Sequence, residues 1–236
     1  MDQANKAALL AKLAEFDTPT ICNAIEVAQG QRGFDGFTKR TMHWPGSMAT
    51  RLVGYARTAK IASAAPPTDD TAVVRERRRD YFRHMAAGPR PGVCVIEDMD
   101  GDDARGAWWG EVHSYVHRDV CGLAGAVTNG LVRDLGDLAP GFPVLAGGIG
   151  PSHGFVHVRE FGGTVDVFGA TVRDGDLIHA DCHGMVVIPE NVLAALPDAI
   201  SVLMRSEAIV LNPIKNGPVG IDDFEKLWAQ FEAART

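Results

Sequence analysis

Residues 123–134 read LAGAVTNGLVRD, an apolar run followed by a polar turn that ends in an arginine and an aspartate. The run Leu123–Val127 is short, apolar and bounded by turn residues, which predicts a buried β-strand. Arg133 and Asp134 come just beyond it, at the carboxyl end of the strand, where α/β folds usually bind ligands. A guanidinium beside a carboxylate suits an anionic substrate held against a divalent cation. An Arg–Asp pair that only caps a turn is the alternative, and the spacing alone leaves both interpretations open.

The sequence around this segment alternates between helical and extended patterns. Helices are predicted at residues 2–16, 18–30, 69–87, 109–120, 191–205 and 222–234. Strands are predicted at residues 52–64, 93–96, 123–127, 143–146, 155–158, 165–168, 176–178 and 185–188. The glycine-rich residues 30–50 are predicted to form a surface loop. No composition shift or internal repeat divides the chain, so we expect one α/β domain with a mixed central sheet, flanking helices and a helical C-terminal tail.

The composition is that of a folded protein and excludes a disordered one. Of the 236 residues, 46% are hydrophobic and 22% are charged. The net charge of −7 argues against a broad nucleic-acid-binding surface. No targeting segment or membrane helix is visible, so we expect a cytoplasmic protein with neither nucleic-acid nor membrane partners. The cysteines are far apart and form no C-x-x-C pair, which favours free thiols at Cys22, Cys94, Cys121 and Cys182.

Three clusters carry other interpretations. The acidic residues 97–103 lack the spacing of an EF-hand and predict a solvated loop, with outer-shell ligation of a cation as the alternative. The basic residues 75–79, with Arg83, predict a solvated helix face or a subunit contact rather than a nucleic-acid stripe. Residues 148–154 resemble a dinucleotide fingerprint, but the third glycine is one residue late and Pro151 interrupts the helix start, so we reject that motif.

His179, Asp181 and His183 alternate along an extended segment, which places them on one face of a predicted strand. Such a set can hold a metal ion. The alternative is a strand end whose polar groups are satisfied by the backbone or by a neighbouring subunit.

Residues 108–113 read WWGEVH and form the second half of the main candidate site. Gly110 is predicted to open a helix whose free amides would hold a small anion, and a glycine there lets the ligand come close. Trp108 and Trp109 either wall the pocket or pack in the core.

These segments resemble the family of class II 4-hydroxy-4-methyl-2-oxoglutarate aldolases and regulators of ribonuclease activity A, once labelled demethylmenaquinone methyltransferases. The resemblance is carried by residues 109–111, 125–134 and 174–184, and it extends from Thr18 to Pro189. It implies a single domain of the swivelling β/β/α type over residues 1–236, with a core at about 18–190 and a helical extension at 191–236. No methyl-donor motif supports the methyltransferase label.

The aldolase branch has an acidic residue, twenty intervening positions and then Arg-Asp. Carried over, this pattern makes Arg133 the substrate arginine and Asp134 the ligand of a divalent metal, Mg²⁺ or Mn²⁺. Arg133 and Glu111 become the catalytic residues, and substrate binds to Arg133 and to the amides of Gly110, Glu111, Val112 and His113. The regulator branch usually lacks the Asp after its Arg, so Asp134 favours the enzyme.

Three features depart from the aldolase pattern. The acid is Glu111 rather than the commoner Asp, and His113 stands where aldolases tend to have Leu. The gap between Glu111 and Arg133 is 21 residues, one more than the pattern, so we expect the chain near Cys121 to absorb the extra residue. These departures concern the aldol substrate rather than the pyruvate-handling core.

The resemblance implies a divalent-metal-dependent aldolase that cleaves 4-hydroxy-2-oxo acids to pyruvate and also decarboxylates oxaloacetate. It further implies a homo-oligomer, trimer or hexamer, with sites between subunits. One alternative is a non-enzymatic, protein-binding regulator of ribonuclease activity. Another is a metal-dependent lyase or hydrolase of a different 2-oxo acid, which uses His113, His179 or His183.

Overall fold

The computed structural model describes residues 3–44 and 47–235. Six α-helices lie in these residues: α1 (Gln3–Leu13), α2 (Thr18–Gln29), α3 (Thr71–Ala86), α4 (Glu111–Tyr115), α5 (Leu196–Asn216) and α6 (Ile221–Arg235). The first six strands are β1 (Leu52–Ala62), β2 (Gly92–Asp98), β3 (Ala107–Trp109), β4 (Leu123–Thr128), β5 (Leu131–Val132) and β6 (Val144–Leu145). The other six are β7 (Gly148–Ile149), β8 (His157–Phe161), β9 (Val165–Val167), β10 (Ala170–Val172), β11 (Leu177–Asp181) and β12 (Gly184–Val187).

The described chain forms two compact units. One consists of residues 3–18 and 36–188, and the other of residues 19–35 and 189–235. Asp2, where the first predicted helix starts, and residues 45 and 46 of the predicted loop lie outside the described residues. The single domain over residues 1–236, with its core at about 18–190 and a helical extension at 191–236, stays a prediction.

A seven-stranded mixed sheet is the centre of the first unit, which confirms the predicted α/β class. Its order is β12-β11-β1-β2-β4-β6, and β8 also pairs with β1. Strands β1, β2, β4 and β6 are parallel, whereas β8, β11 and β12 run antiparallel to their neighbours. Strand β1 is 11 residues long, so its first half pairs with β11 and its second half with β8.

Both faces of this sheet are covered, which explains why β2 is a continuous apolar run rather than an alternating one. On one face, Tyr81 and Met85 of α3 pack against the sheet together with Trp109. On the other face, the β9–β10 hairpin contributes Val165 and Val167.

A second, three-stranded parallel sheet has the order β3-β5-β7. Between β6 and β7 the chain passes so close to the loop after β4 that a Cβ at Gly147 would overlap the carbonyl oxygen of Asn129. A glycine is therefore needed at this crossing.

The observed helix differs at both ends from the one predicted over residues 109–120. Trp109 belongs to β3, and Gly110 is the extended N-cap residue. The helix α4 therefore begins at Glu111, in agreement with the prediction that Gly110 opens a helix. From Val116 to Val120 the helix widens into a π turn, closed by a 3.0 Å bond from the Cys121 amide to the Val116 carbonyl. A π turn holds one residue more than an α turn, and this one ends just before Cys121, where the sequence analysis expects the chain to absorb an extra residue.

The second unit contains most of α2 and the helices α5 and α6. The predicted helix 191–205 was placed too early and ended too soon, because α5 runs to Asn216. The buried stripe of Leu203, Ser206 and Val210 continues the helical spacing past the predicted end.

Candidate active site

The short sheet brings the two halves of the predicted site together. Strands β3 and β5 are parallel, and Trp109 is in register with Val132. The Arg133 amide donates a 2.9 Å hydrogen bond to the Trp109 carbonyl. Gly110 therefore lies directly beside Arg133 and Asp134.

A side chain at Gly110 would force Asp134 to move. A Cβ there would lie 2.5 Å from Oδ2 of Asp134 and 3.2 Å from Cγ and Nε of Arg133. The Glu111 amide donates to the same Oδ2 over 3.1 Å. The first amide of α4 is thus taken by Asp134, and the absence of a Cβ at Gly110 is what permits this approach.

Asp134 and Arg133 both show features that are common at functional sites. Asp134 has a φ of +53°, in the left-handed region that is uncommon for residues other than glycine. The Nη1 of Arg133 lies 3.4 Å from Oδ2 of Asp134. The Nε of Arg133 is buried without a hydrogen-bond partner in the described chain, so it is a donor available to a ligand or a water.

A cavity of about 270 Å³ opens beside this pair. Its lining residues are Arg78, Ala107, Trp108, Gly110, Val112, His113, Arg133, His153 and Val156. Among the residues predicted from the sequence, Gly110, Val112, His113 and Arg133 line it. Glu111 has an exposed side chain outside the lining, and Asp134 reaches the site through its contacts with Gly110 and the Glu111 amide.

His113 contributes a ring as well as an amide to this cavity. Its Nδ1 lies 2.7 Å from the Trp108 carbonyl, which only accepts, so Nδ1 carries the hydrogen and Nε2 has the free lone pair. Burial lowers the pKa of His113 to about 4, against the effect of the bond to Trp108. The imidazole is therefore a neutral hydrogen-bond acceptor at physiological pH.

A buried aromatic layer supports α4 from behind. His117 donates from Nδ1 to the His113 carbonyl over 2.6 Å and accepts from the Tyr81 hydroxyl over 2.6 Å. Burial lowers the pKa of His117 to about 3. Trp109 is fully buried against this ring, so it packs in the core, whereas Trp108 walls the cavity.

The ligand atoms near Asp134 decide which metals the site suits. Within residues 3–44 and 47–235, the one group of three ligand atoms from His, Cys, Asp or Glu within 4.8 Å is Asp181–Cys182–His183. The Asp134 carboxylate therefore belongs to no group of three protein ligands. This suits Mg²⁺ or Mn²⁺, hard cations that keep several waters, and does not suit Zn²⁺, which needs three or four protein ligands.

The His179–His183 segment is occupied by structural contacts. Asp181 is fully buried and accepts from the Thr18 amide at 2.9 Å and from Nδ1 of His183 at 3.0 Å. Burial raises the pKa of Asp181, but these hydrogen bonds outweigh it and hold the pKa below its usual value. His179 turns instead to the Thr18 hydroxyl and the Phe16 carbonyl. The geometry favours the alternative in which the polar groups are satisfied within the chain.

The acidic residues 97–103 differ from the predicted solvated loop. Asp98 is buried and accepts from the Ser63 hydroxyl over 2.9 Å, and Asp100 accepts from the Ala64 amide over 2.8 Å. Among the acidic residues of the run, Asp102 and Asp103 are the exposed ones. Asp100 thus caps the backbone that follows β1, where it accepts from the amides of Ser63 and Ala64.

The basic residues of α3 lie on a largely exposed helix face. Arg77, Arg79 and Arg83 pair with Asp69, Glu76 and Asp80. Neither Arg75 nor Arg78 forms an ion pair with the described residues, and of these two Arg78 lines the cavity. Arg78 and His153 are the site residues that sequence reasoning missed, and in the sequence Arg78 is indistinguishable from its paired neighbours.

The four cysteines form no disulfide with one another, as predicted: Cys94 and Cys121 are buried, and Cys22 and Cys182 are half-buried. None of the helices in the described residues combines the length and the apolar character that crossing a membrane requires.

The chain matches one family model and is similar in sequence to proteins of other organisms. The sequence model of the family described as RraA-like (Aldolase/RraA) matches residues 18–187. A Halalkalibacterium halodurans protein provisionally named a 4-hydroxy-4-methyl-2-oxoglutarate aldolase is 30% identical over 188 residues, or 76% of this chain and 82% of that protein. An uncharacterized Methanocaldococcus jannaschii protein is 36% identical over 96 residues, which cover 40% of this chain and less than half, 44%, of that one.

One solved structure illustrates the shared fold. The crystal structure of RraAS2 from Streptomyces coelicolor, described as an unusual member of the RNase ES inhibitor RraA protein family, superposes with a TM-score of 0.65. It is 22% identical and covers 85% of this chain and 93% of its own.

Proposed function

Because the chain belongs to the aldolase/RraA family, we propose that it is a divalent-metal-dependent lyase that cleaves 4-hydroxy-2-oxo acids to pyruvate and decarboxylates oxaloacetate. The observation that carries the proposal is the close approach of Gly110 to Arg133 and Asp134, with an unmet donor at Nε of Arg133. The family also contains regulators of ribonuclease activity. The Asp134 carboxylate beside an anion-binding arginine favours the enzyme.

Asp134 is the residue that would hold the Mg²⁺ or Mn²⁺. Once bound, the cation would supply Lewis acidity toward the oxygen of the 2-oxo group, an effect worth several kcal/mol.

The residues of the chain itself bind and orient the 2-oxo acid. The first amides of a helix have no intrahelical partner, and Asp134 takes the amide of Glu111, so the amides of Val112 and His113 are left for a carboxylate. Arg133 donates to the oxygen that gains negative charge as the carbon–carbon bond breaks. The ring of Trp108 forms an apolar wall that limits the access of water.

Cleavage also requires that the 4-hydroxyl lose its proton. Glu111 is at the start of α4 with its side chain in solvent, where it can orient a water that accepts this proton. Oxaloacetate has no 4-hydroxyl, and loss of its terminal carboxylate as CO₂ leaves the same enolate. Decarboxylation therefore needs Arg133 but not Glu111.

We further propose a cytoplasmic homo-oligomer, a trimer or hexamer, with the site completed between subunits. Val112 lines the cavity and is 69% exposed in the single chain, so a neighbouring subunit would cover an apolar side chain at the rim.

The experiment is to measure pyruvate release from oxaloacetate and from 4-hydroxy-4-methyl-2-oxoglutarate in the presence of Mg²⁺. Arg133→Ala should lower kcat/KM on both by roughly 10²–10³-fold, the usual effect of removing a donor from the developing charge. The exposed Arg205, on α5, provides the control variant Arg205→Ala, which should match the wild type. Full activity in Arg133→Ala, or no pyruvate from either acid, would reject the proposal.

A further inference from the structure

The side chains that can accept a hydrogen bond in the candidate active-site cavity are imidazole rings. Among the described residues that line the cavity, none is Asp, Glu, Ser, Thr, Asn or Gln. The polar atoms of Arg78, Arg133 and Trp108 only donate. His113 and His153 are the lining residues that can accept, and His153 is exposed whereas His113 is half-buried. The acceptor built into the wall is therefore His113.

The Nε2 atom of His113 is the acceptor, and it is free. Nδ1 donates to the Trp108 carbonyl over 2.7 Å, so the neutral ring has its hydrogen at Nδ1 and its lone pair at Nε2. The described chain offers Nε2 no hydrogen-bond partner, and Nε2 is not among the buried side-chain atoms that lack one. It is therefore open to the cavity that the ring lines.

Packing holds the ring of His113 in one place. The centroid of this ring lies 4.2 Å from that of the Trp108 ring and 6.3 Å from that of the Phe82 ring. His117 donates to the His113 carbonyl over 2.6 Å, so the backbone of the same residue is held as well. An acceptor fixed in this way is oriented before a ligand arrives, which lowers the entropic cost of binding.

The ring is neutral, and its neutrality decides what Nε2 can bind. Burial is the main cause of the low pKa of His113, about 4, and the positive charges of Arg78 and Arg133 lower the pKa further. At neutral pH Nε2 therefore has a lone pair and no hydrogen. A carboxylate or an oxo group also offers only lone pairs and gains no hydrogen bond from Nε2, whereas a hydroxyl group can donate to it.

We infer that Nε2 of His113 accepts a hydrogen bond from a hydroxyl group on the carbon chain of the ligand, and that this bond makes the site select a hydroxylated acid over the acid with a methyl group in its place. The inference rests on the proposed function for the other end of the ligand, where Arg133 and the amides of Val112 and His113 hold the acid group. His113 thus contributes its amide to the carboxylate and its ring to the hydroxyl group. An acid without the hydroxyl leaves the acceptor unpaired, and sites built around a hydrogen bond reject such analogues.

The test uses two pairs of acids that differ by a hydroxyl group in place of a methyl group. Hydroxypyruvate and 2-oxobutanoate differ in this way on carbon 3, and 4-hydroxybutanoate and pentanoate on carbon 4. None of the four is a 4-hydroxy-2-oxo acid, so none is cleaved. Their dissociation constants are measured by calorimetry with Mg²⁺ present, for the wild type, His113→Leu, His113→Gln and His183→Leu. His183 is exposed and outside the cavity lining, so its variant is the control.

The wild type should bind the hydroxylated acid of at least one pair about three- to tenfold more tightly than its methyl partner, the usual net effect of one hydrogen bond. His113→Leu should reduce this preference to less than about twofold, with the affinity for the methyl partner little changed. His113→Gln has a carbonyl oxygen that can accept in place of Nε2 and should recover part of the preference, and His183→Leu should keep all of it.

A second measurement follows the ring itself. Two-bond ¹H–¹⁵N correlation spectra of the wild type show which ring nitrogen of His113 has the hydrogen. The signal of the unprotonated Nε2 should move when the preferred hydroxylated acid binds and stay in place with its methyl partner. This readout decides the matter if circular dichroism shows that His113→Leu is misfolded. No preference within either pair, an unchanged preference in His113→Leu, or an Nε2 signal that does not respond would overturn the inference.

These measurements need no turnover, so the two proposals fail separately. A preference that depends on His113, without pyruvate release from oxaloacetate, would reject the lyase and keep the hydroxyl-binding role. Pyruvate release that needs Arg133, combined with no preference within either pair, would keep the lyase and reject the role of the His113 ring.

Discussion

At Gly110 the absence of a side chain allows two functional groups to approach the start of a helix. Oδ2 of Asp134 lies only 2.5 Å from the position that a Cβ would take, and the aliphatic part of Arg133 packs against the same point. The φ of +53° at Asp134 costs about 1–3 kcal/mol. The site therefore depends on local backbone geometry as much as on the charged groups.

Gly110→Ala should lower activity by about 100-fold while leaving the fold intact. The new methyl group must push Asp134 away from the Glu111 amide, and a displacement of about 1 Å can cost roughly 100-fold in rate. Pyruvate release from oxaloacetate measures this, and thermal unfolding checks the fold. Gly136→Ala, at a glycine with open space around it, is the control and should be unchanged. Wild-type activity in Gly110→Ala would show that Asp134 has no role at this position.

The buried histidines make stability depend on pH on the acid side. Burial lowers the pKa of His117 to about 3 and that of His179 to about 4, whereas an unfolded chain has about 6.5. Between these values the unfolded state binds more protons, so stability is full above about pH 6.5 and decreases as the pH falls toward 4. Each histidine contributes at most about 1.4 kcal/mol per pH unit within this window.

Urea unfolding at several pH values between 4.5 and 7.5 checks this dependence. His117→Asn should show a shallower decrease than the wild type, and His153→Asn, at an exposed histidine, should show the same decrease as the wild type. A stability that rises on acidification through this range would contradict the assignment of neutral buried imidazoles.

Among the elements, the short sheet of β3, β5 and β7 decides where the site residues lie. It holds Trp109 beside Val132, and so Gly110 beside Arg133. The crossing from β6 to β7 depends on Gly147, which contacts the loop after β4. The close contact at Gly147 therefore fixes the position of the short sheet, and so of the site residues, relative to the larger sheet.

Gly147→Ala should destabilise the protein by about 1–3 kcal/mol, because the added carbon meets a backbone carbonyl that has little room to move. Urea unfolding gives the change in free energy. Gly163→Ala, with nothing near its added carbon, is the comparison and should lie within about 0.5 kcal/mol of the wild type. A Gly147 variant as stable as the Gly163 variant would contradict the described crossing.

The elements that the sequence predicts well have a clear signal of their own, such as the continuous apolar run of β2 and the Gly88-Pro89 stop after α3. Strand β3 has three residues and β5 has two, and both form only by pairing with segments distant in sequence. No local sequence pattern therefore predicts them. The approach of Gly110 to Arg133 and Asp134 was predictable, because the family resemblance links these segments. The place of Arg78 was not, because it depends on how α3 packs, and its sequence neighbours look the same.

At the scale of the whole molecule, the family resemblance and the exposed Val112 at the cavity rim are the two reasons to expect a trimer or hexamer. Light scattering coupled to size-exclusion chromatography should give a mass three or six times the chain mass of 25.3 kDa. Val112→Glu should weaken the assembly, because it would bury a charge in the contact. Tyr115→Glu places the same charge at another exposed position of α4. Comparing the masses of the two variants shows whether the assembly depends on the cavity rim at Val112 in particular. A monomeric wild type would contradict the proposed intersubunit site.

Asp134 is the proposed ligand of the cation with which this chain releases pyruvate. The most direct measurement is the Mg²⁺ dependence of pyruvate release from oxaloacetate by the wild type, Asp134→Asn and Asp137→Asn. Asp137 is exposed three residues further on, and its variant makes the same change of charge. We expect Asp134→Asn to lose Mg²⁺-dependent release by about 100-fold or more, and Asp137→Asn to stay within about twofold of the wild type. Equal Mg²⁺-dependent release by Asp134→Asn and the wild type would contradict the account.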